Sequence, residues 1–249
     1  MTKEACDTID SLVTSNLKAA RILSTHGIDF CSEGKKTLKE ACSEAGVSLR
    51  RLLREITDAE QYREKNLEDP TSVNVDELTL YIERYHHHYT TEYITFIKAN
   101  LSRLVRLHAR QFPELVDIKS IFDELSWPLT VHMQHEEFIV FPYIRELAKK
   151  GKKAKSSMYR AAYSPISGML TDHEKDAANL KRLDDLTHHY TPPETEGNAF
   201  KITYAAMRAL ERDLHTHMAL EKEVLFPKAL EMEIRLSNNL WASSKIQMQ

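Results

Sequence analysis

The sequence predicts an all-α protein, with an antiparallel four-helix bundle preceded by a small helical domain. Three observations carry this expectation. Apolar residues recur at helical spacing in successive segments of the chain. Only 6 Gly and 8 Pro interrupt 249 residues, and a charged fraction of 29% suits helices with solvated outer faces. A histidine–glutamate motif also occurs twice, each copy on a helix-period run that a proline closes.

Residues 1–61 read as the small domain. Ile9, Leu12, Val13, Leu17 and Ala20 form one amphipathic set, Leu38, Ala41 and Cys42 a second, and Leu49, Leu52, Leu53 and Ile56 a third. Between the first two sets, Gly27, Cys31, Gly34 and the pair Lys35-Lys36 precede a helix. A thiol just before a helix N-terminus and near lysines tends toward thiolate, so Cys31 is a candidate reactive cysteine or thiol ligand. A small residue packed in a tight turn is the alternative reading. Cys42 lies on an apolar face and is expected in the core. Residues 62–74 are polar, carry Pro70 and lack periodicity, which predicts a linker.

Residues 75–249 are expected to form the bundle and a C-terminal tail. The first helix runs from Asp76 without Pro or Gly until Pro113, its apolar face passing through Tyr93, Ile97, Leu101 and Leu104. Of the tract His86-His87-His88, counting about 100° per residue from Ile97 puts His86 on that face, and His87 and His88 are expected in solvent. His108 shares the face, but about 22 residues of helix, roughly 33 Å, separate it from His86. With a turn near residues 110–114, His86 falls beside Glu136 on the next helix and His108 near the far end.

The second helix carries Pro128, and Ser126 is placed to cap a restarted helix, so a kink is expected there. It continues to about Lys149, and a basic, Ser-rich loop follows. Ser164-Pro165 then resembles an N-cap with proline in the first turn, opening a third helix to about Thr187. Ile166, Met169, Leu170, His173, Ala177 and Leu180 make its stripe. After Pro192-Pro193 and Gly197, the fourth helix presents Ala206, Leu210, Leu214, His217 and Glu221.

The two motifs start at His132 and at His217. Each reads His-Met, then a glutamate at i+4 (Glu136, Glu221), then Phe-Pro. Positions i and i+4 share a helix face, so each copy aims an imidazole and a carboxylate at one point. One such pair is an ordinary surface contact, whereas two copies with common flanks resemble the doubled ligands of two-metal bundles. His86, His132, Glu136, His173, His217 and Glu221 are therefore the candidate metal ligands. Four imidazoles and two carboxylates suit two first-row ions. If both glutamates bridge, each ion has two nitrogens and two oxygens, leaving room for an oxo or hydroxo bridge and for exogenous ligands. A packed core network is the alternative for all six.

Composition excludes some functions. A net charge of -3 argues against nucleic acid as a main partner. Three cysteines, all within the first 42 residues and without CxxC spacing, form no disulfide framework and suit a reducing compartment. No apolar run approaches the length of a membrane span, and a cytoplasmic location is expected.

The segments Ile28-Asp29-Phe30-Cys31 and Gly34-Lys35-Lys36-Thr37-Leu38, with Arg84-Tyr85-His86, Leu107-His108, both His-Met repeats and Asp172-His173-Glu174, make the chain resemble a known family. This is the repair-of-iron-centres group of di-iron proteins, of ScdA/YtfE type, whose C-terminal domain is hemerythrin-like. The resemblance covers nearly the whole chain. It implies a non-haem di-iron centre on the six residues, bridged by Glu136 and Glu221. It also implies repair of iron–sulfur clusters damaged by nitric oxide or peroxide, by release of iron to them, so the expected partners are damaged iron–sulfur proteins, iron and nitric oxide. A homodimer is left open. His108 matches a histidine that recurs in the family, although distance keeps it from the cluster. One departure is that Cys31 is followed by Ser32, Glu33 and Gly34, where the family has adjacent cysteines and two glycines, leaving one thiolate.

Three functions compete at this stage. The first is a stress-response iron donor, which acts stoichiometrically. The second is an enzyme that reduces nitric oxide or activates oxygen at the same open site. Reversible oxygen binding or sensing comes third, since it gives the small thiol domain no place.

Overall fold

The computed structural model describes residues 8–30, 33–61, 69–150, 166, 168–194 and 197–246, all helix and turn apart from an isolated bridge between Thr8 and Thr37. Cys6, Cys31, Ser32, most of the expected linker, the basic loop and the Ser164-Pro165 cap lie outside the described residues. The helices are α1 Ile9–Ser15, α2 Leu17–Thr25, α3 Leu38–Glu44, α4 Leu49–Gln61, α5 Val75–Tyr81, α6 His88–His108, α7 Glu114–His135, α8 Phe141–Lys150, α9 Met169–Leu186, α10 Asn198–Ala219 and α11 Phe226–Ile246. Three wider π-helical turns join them, at Ile82–His87, Glu136–Val140 and Leu220–Leu225. The chain divides into two compact units. One holds residues 1–66, 92–123 and 181–211, and the other residues 67–91, 124–180 and 212–249.

In the first unit, local polar chemistry sets the helix ends. The first amphipathic set divides at Asn16, whose backbone closes α1 and whose side chain accepts from Ala19 N at 3.1 Å to open α2. Thr37 and Glu40 satisfy each other's backbone N–H groups in a capping box at the start of α3. Ile9, Val13, Leu23, Leu38, Cys42 and Leu52 are buried together with Phe30, which stacks on Phe96 at 6.0 Å. Gly34 is required by close approach, because a Cβ there would lie 1.9 Å from Asp10 Oδ1, whose carboxylate accepts from Asn198 at 2.6 Å. His108 closes α6, and its ring packs edge-on to Phe200 at 5.1 Å.

The second unit is built on a core of Leu78, Ile82, Val140, Phe141, Ile144, Met169, Leu225 and Phe226. Asn74 caps α5 by accepting from Glu77 N at 3.0 Å. Arg145 donates to Glu83 at 2.9 Å, and Tyr143 donates to Glu233 at 2.6 Å.

Helix α7 runs through Pro128 without a break, so no helix restarts at Ser126. Ser126 is buried in mid-helix, and its carbonyl accepts from the Thr130 hydroxyl at 2.8 Å. Pro128 lies on the exposed side, where water can serve the carbonyl that loses its donor.

The π turns have a local cause in two of the three cases. Pro142 and Pro227 follow Phe141 and Phe226, the residues that end the second and third turns. A proline in a helix interior lacks a donor and crowds the carbonyl four residues back. Widening the turn moves that carbonyl aside, and the Phe141 and Phe226 N–H groups donate to the carbonyls of Glu136 and Glu221, five residues back. The Phe-Pro of each repeat thus places a π turn directly at each glutamate. The first turn, at Ile82–His87, has no proline to account for it.

Candidate metal centre

All three π turns carry candidate ligands, in keeping with the concentration of such turns at functional sites. Two groups of four side chains converge in the second unit. The first is His87, Glu136, His217 and Glu221, and the second is His132, Glu136, His173 and Glu221. Within each group one donor atom per residue lies within 4.8 Å of the others, and every member is buried.

The two glutamates divide their oxygens between the groups. Glu136 Oε1 lies 3.0 Å from His132 Nε2, while its Oε2 lies 3.4 Å from His87 Nε2. Glu221 Oε1 lies 2.9 Å from His217 Nε2, while its Oε2 lies 3.1 Å from His173 Nε2. Each carboxylate therefore presents one oxygen to each group.

Most of these atoms satisfy nothing within the protein. Both nitrogens of His132 and His173, both oxygens of Glu136 and one oxygen of Glu221 are buried without a hydrogen bond, despite approaches near 3 Å. Buried polar groups left unpaired cost about 1–3 kcal/mol each, so such a cluster needs compensating positive charge. Protonation supplies some of it. Burial pushes the pKa of His87 down, but the carboxylates of Glu136, beside its Nε2, and Glu137, bonded to its Nδ1, prevail and raise it to about 9. His132 is raised to about 9, its burial outweighed by Glu136. Glu221 is held far below the usual carboxylate range by His217 and His173, against its own burial. Burial lifts Asp176 to about 6. Four imidazoles around two shared carboxylates are a donor set that fits two divalent first-row cations as well as it fits protons.

Aromatic walls hold the rings. His87 stacks on Phe141 at 5.5 Å, and His173 stacks on Phe226 at 6.2 Å, which gives the Phe of each repeat a second role. Met133 is buried beside the ligands.

Of the sequence-predicted residues, the structure brings together His132, Glu136, His173, His217 and Glu221. His86 is not in either group, and His87, expected in solvent, is. Both are 2% exposed. The buried stripe of a packed helix is about 100° wide and so admits two successive residues, whereas the angular count followed a single line. His86 is held apart by Asp213, whose Oδ1 lies 2.9 Å from its Nδ1, and its ring stacks on His217 at 5.7 Å with Nε2 buried and unpaired. Asp213 and Glu137, which bonds His87 Nδ1 at 2.8 Å, were also missed. The doubled acid Glu136-Glu137 was the available signal. His108 lies in the first unit, and Cys31 is outside the described residues.

Comparison with known proteins agrees with this geometry. Residues 78–229 match the hemerythrin HHE cation binding domain, and residues 5–60 match ScdA_N, a domain described as of unknown function. The iron–sulfur cluster repair protein ScdA of Staphylococcus epidermidis is 25% identical over 229 residues, 92% of this chain and 99% of that protein. The iron–sulfur cluster repair protein YtfE of Escherichia coli is 28% identical over 227 residues, 90% and 97% of the two chains. A probable iron–sulfur cluster repair protein of Haemophilus influenzae is 26% identical over 223 residues, 89% and 96%. No helix among the described residues is long and apolar enough to cross a membrane. The chain belongs to the hemerythrin HHE cation-binding domain family, joined here to an ScdA_N domain.

Proposed function

We propose that this chain is a di-iron protein that repairs iron–sulfur clusters damaged by nitrosative or oxidative stress, donating iron from a carboxylate-bridged site. The observation that carries the reading is the division of Glu136 and Glu221, each offering one oxygen to the His87–His217 group and the other to the His132–His173 group. That arrangement supports two ions side by side under two bridging carboxylates, with an oxo or hydroxo group between them. The names of the similar proteins support the role in cluster repair.

Iron is the cargo in this reading, and the protein's part is to hold it reversibly. Each ion would have two imidazoles and two shared oxygens, fewer protein ligands than the roughly six positions of an octahedron. Loss of one bridge weakens the hold on both ions at once. The ligand set proposed is His87, His132, Glu136, His173, His217 and Glu221.

The test is iron content and repair measured together. The freshly purified protein should carry close to two irons per chain and an oxo-bridged ferric absorption band. Glu136→Leu and Glu221→Leu should each lose iron and lose the ability to restore a damaged cluster in vitro. Unimpaired repair by an iron-free variant would sink the proposal. Zinc, or no metal after expression with iron supplied, would reduce the cluster to a polar core network.

A further inference from the structure

We propose that Glu137 is a positioning residue that makes the two ions unequal: the ion between His87 and His217 is retained, and the ion between His132 and His173 is released first. The inference rests on the di-iron reading above and goes beyond it by naming which ion is the cargo.

The far nitrogens of the four imidazoles are not equally supported. A metal-ligating histidine is oriented by what its other ring nitrogen donates to, and a carboxylate there fixes the tautomer and strengthens the ligand. His87 has such a partner, with Nδ1 2.8 Å from Glu137 Oε1, and this holds its Nε2 toward Glu136 and His217. The Nδ1 atoms of His132, His173 and His217 are buried without a hydrogen bond. Asp172 Oδ2 lies 3.6 Å from His132 Nδ1, beyond hydrogen-bond length though close enough to feel its charge, and the Asp172 carboxylate is engaged by Lys175 at 2.9 Å. One group therefore has a histidine held by a direct carboxylate bond, whereas the acids beside the other group, Asp172 and the buried Asp176, make no bond that short to its imidazoles.

The inequality is written into the repeat. Glu137 directly follows the shared Glu136 in a π turn, which sends one carboxylate into the cluster and the next onto the back of a ligand. In the second copy the residue after Glu221 is Lys222, exposed and of opposite charge. The two motifs agree at histidine, glutamate and Phe-Pro and differ at the position that anchors a ligand.

Loss of an outer partner of this kind weakens a metal site about 10- to 100-fold. The test is release of iron from the full chain, loaded with ferrous iron, into excess ferrozine, followed by absorbance. Two phases of equal amplitude are expected. Glu137→Gln, which keeps shape but not charge, and Glu137→Leu should accelerate the slow phase by about 10- to 100-fold and leave the fast phase unchanged. Melting of the metal-free protein serves as the structural control and should move little in Glu137→Gln, whose amide oxygen can still accept from His87 Nδ1, while Glu137→Leu, which leaves that buried nitrogen unpaired, should melt somewhat lower. A single phase releasing both ions would overturn the inference, as would a slow phase unchanged in both variants or acceleration of the fast phase alone. Those results leave the di-iron reading standing, whereas a chain that takes up no iron refutes both.

Discussion

Two adjacent histidines separate the sequence argument from the structure, and substituting each in turn decides between them. His87→Leu removes an imidazole whose Nε2 sits 3.2 Å from His217 Nε2 and 3.4 Å from Glu136 Oε2. Leucine fills much of the space but takes away positive charge that buried Glu136 faces, so the metal-free protein should lose some stability, and iron should fall from two per chain to one or fewer. His86→Leu removes the bonding partner of Asp213 Oδ1, on a carboxylate that is 7% exposed and whose other oxygen is already unpaired. Leaving a buried carboxylate without its bonding partner costs about 3 kcal/mol. For a chain of this size that is a fall in melting temperature on the order of 10 °C. Iron content should stay near two per chain in the fraction that folds. Metal analysis beside thermal melts of the metal-free forms reads both effects. Iron lost from His86→Leu but kept in His87→Leu would refute the ligand set and return the site to the residue that angular counting selects.

Other expectations follow from local features. Pro142→Ala and Pro227→Ala restore a donor and remove the crowding that widens the turn, so each should lower iron content without lowering the melting temperature of the metal-free protein. Unchanged iron in both would mean that the prolines do not hold the π turns. Gly34→Ala forces the Asp10 carboxylate away from Asn198 and should cost about 1–2 kcal/mol, read as a lower urea midpoint with iron unaffected. His188→Gly acts in the opposite direction. His188, His189 and Tyr190 lie in the left-handed region, with φ of 49, 59 and 53°. Relieving one exposed residue there should stabilise the protein by about 0.5–1 kcal/mol, the left-handed penalty less the entropy of glycine, read as a higher urea midpoint.

How much was legible depended on which physical rule governs each residue. The helices follow apolar spacing and caps, so the all-helical fold could be read from sets such as Ile9–Val13 and Leu49–Ile56. His132, Glu136, His217 and Glu221 were visible because the motif is duplicated, and His173 because a histidine interrupts an apolar stripe. The π turns were not, since a proline after phenylalanine reads equally well as a helix end. Here it widens a helix that continues into α8 and α11. Pro128 has the opposite lesson, because a mid-helix proline is absorbed there without any change of helix type. The choice between His86 and His87 turns on Asp213 and Glu137, residues far away in sequence that no periodicity links to the tract.

The widened turns also explain how a compact motif can do two jobs. In a regular α-helix, consecutive residues diverge by about 100°, so Glu137 would swing toward the side of the helix when Glu136 faces the interior. A turn closed by an i to i+5 bond spreads more residues over one revolution and narrows that angle. Glu136 can then be fully buried between both ligand groups while Glu137, partly exposed, reaches His87. The same widening at Glu221 is followed by Lys222, and no second carboxylate arrives. A duplicated motif thus yields a symmetric pair of shared carboxylates and an asymmetric pair of supporting groups. On the proposed iron-donor reading, such a combination would serve a carrier that parts with one ion and keeps enough of the centre to be reloaded: shared carboxylates would couple the ions, and unequal anchoring would set the order in which they leave.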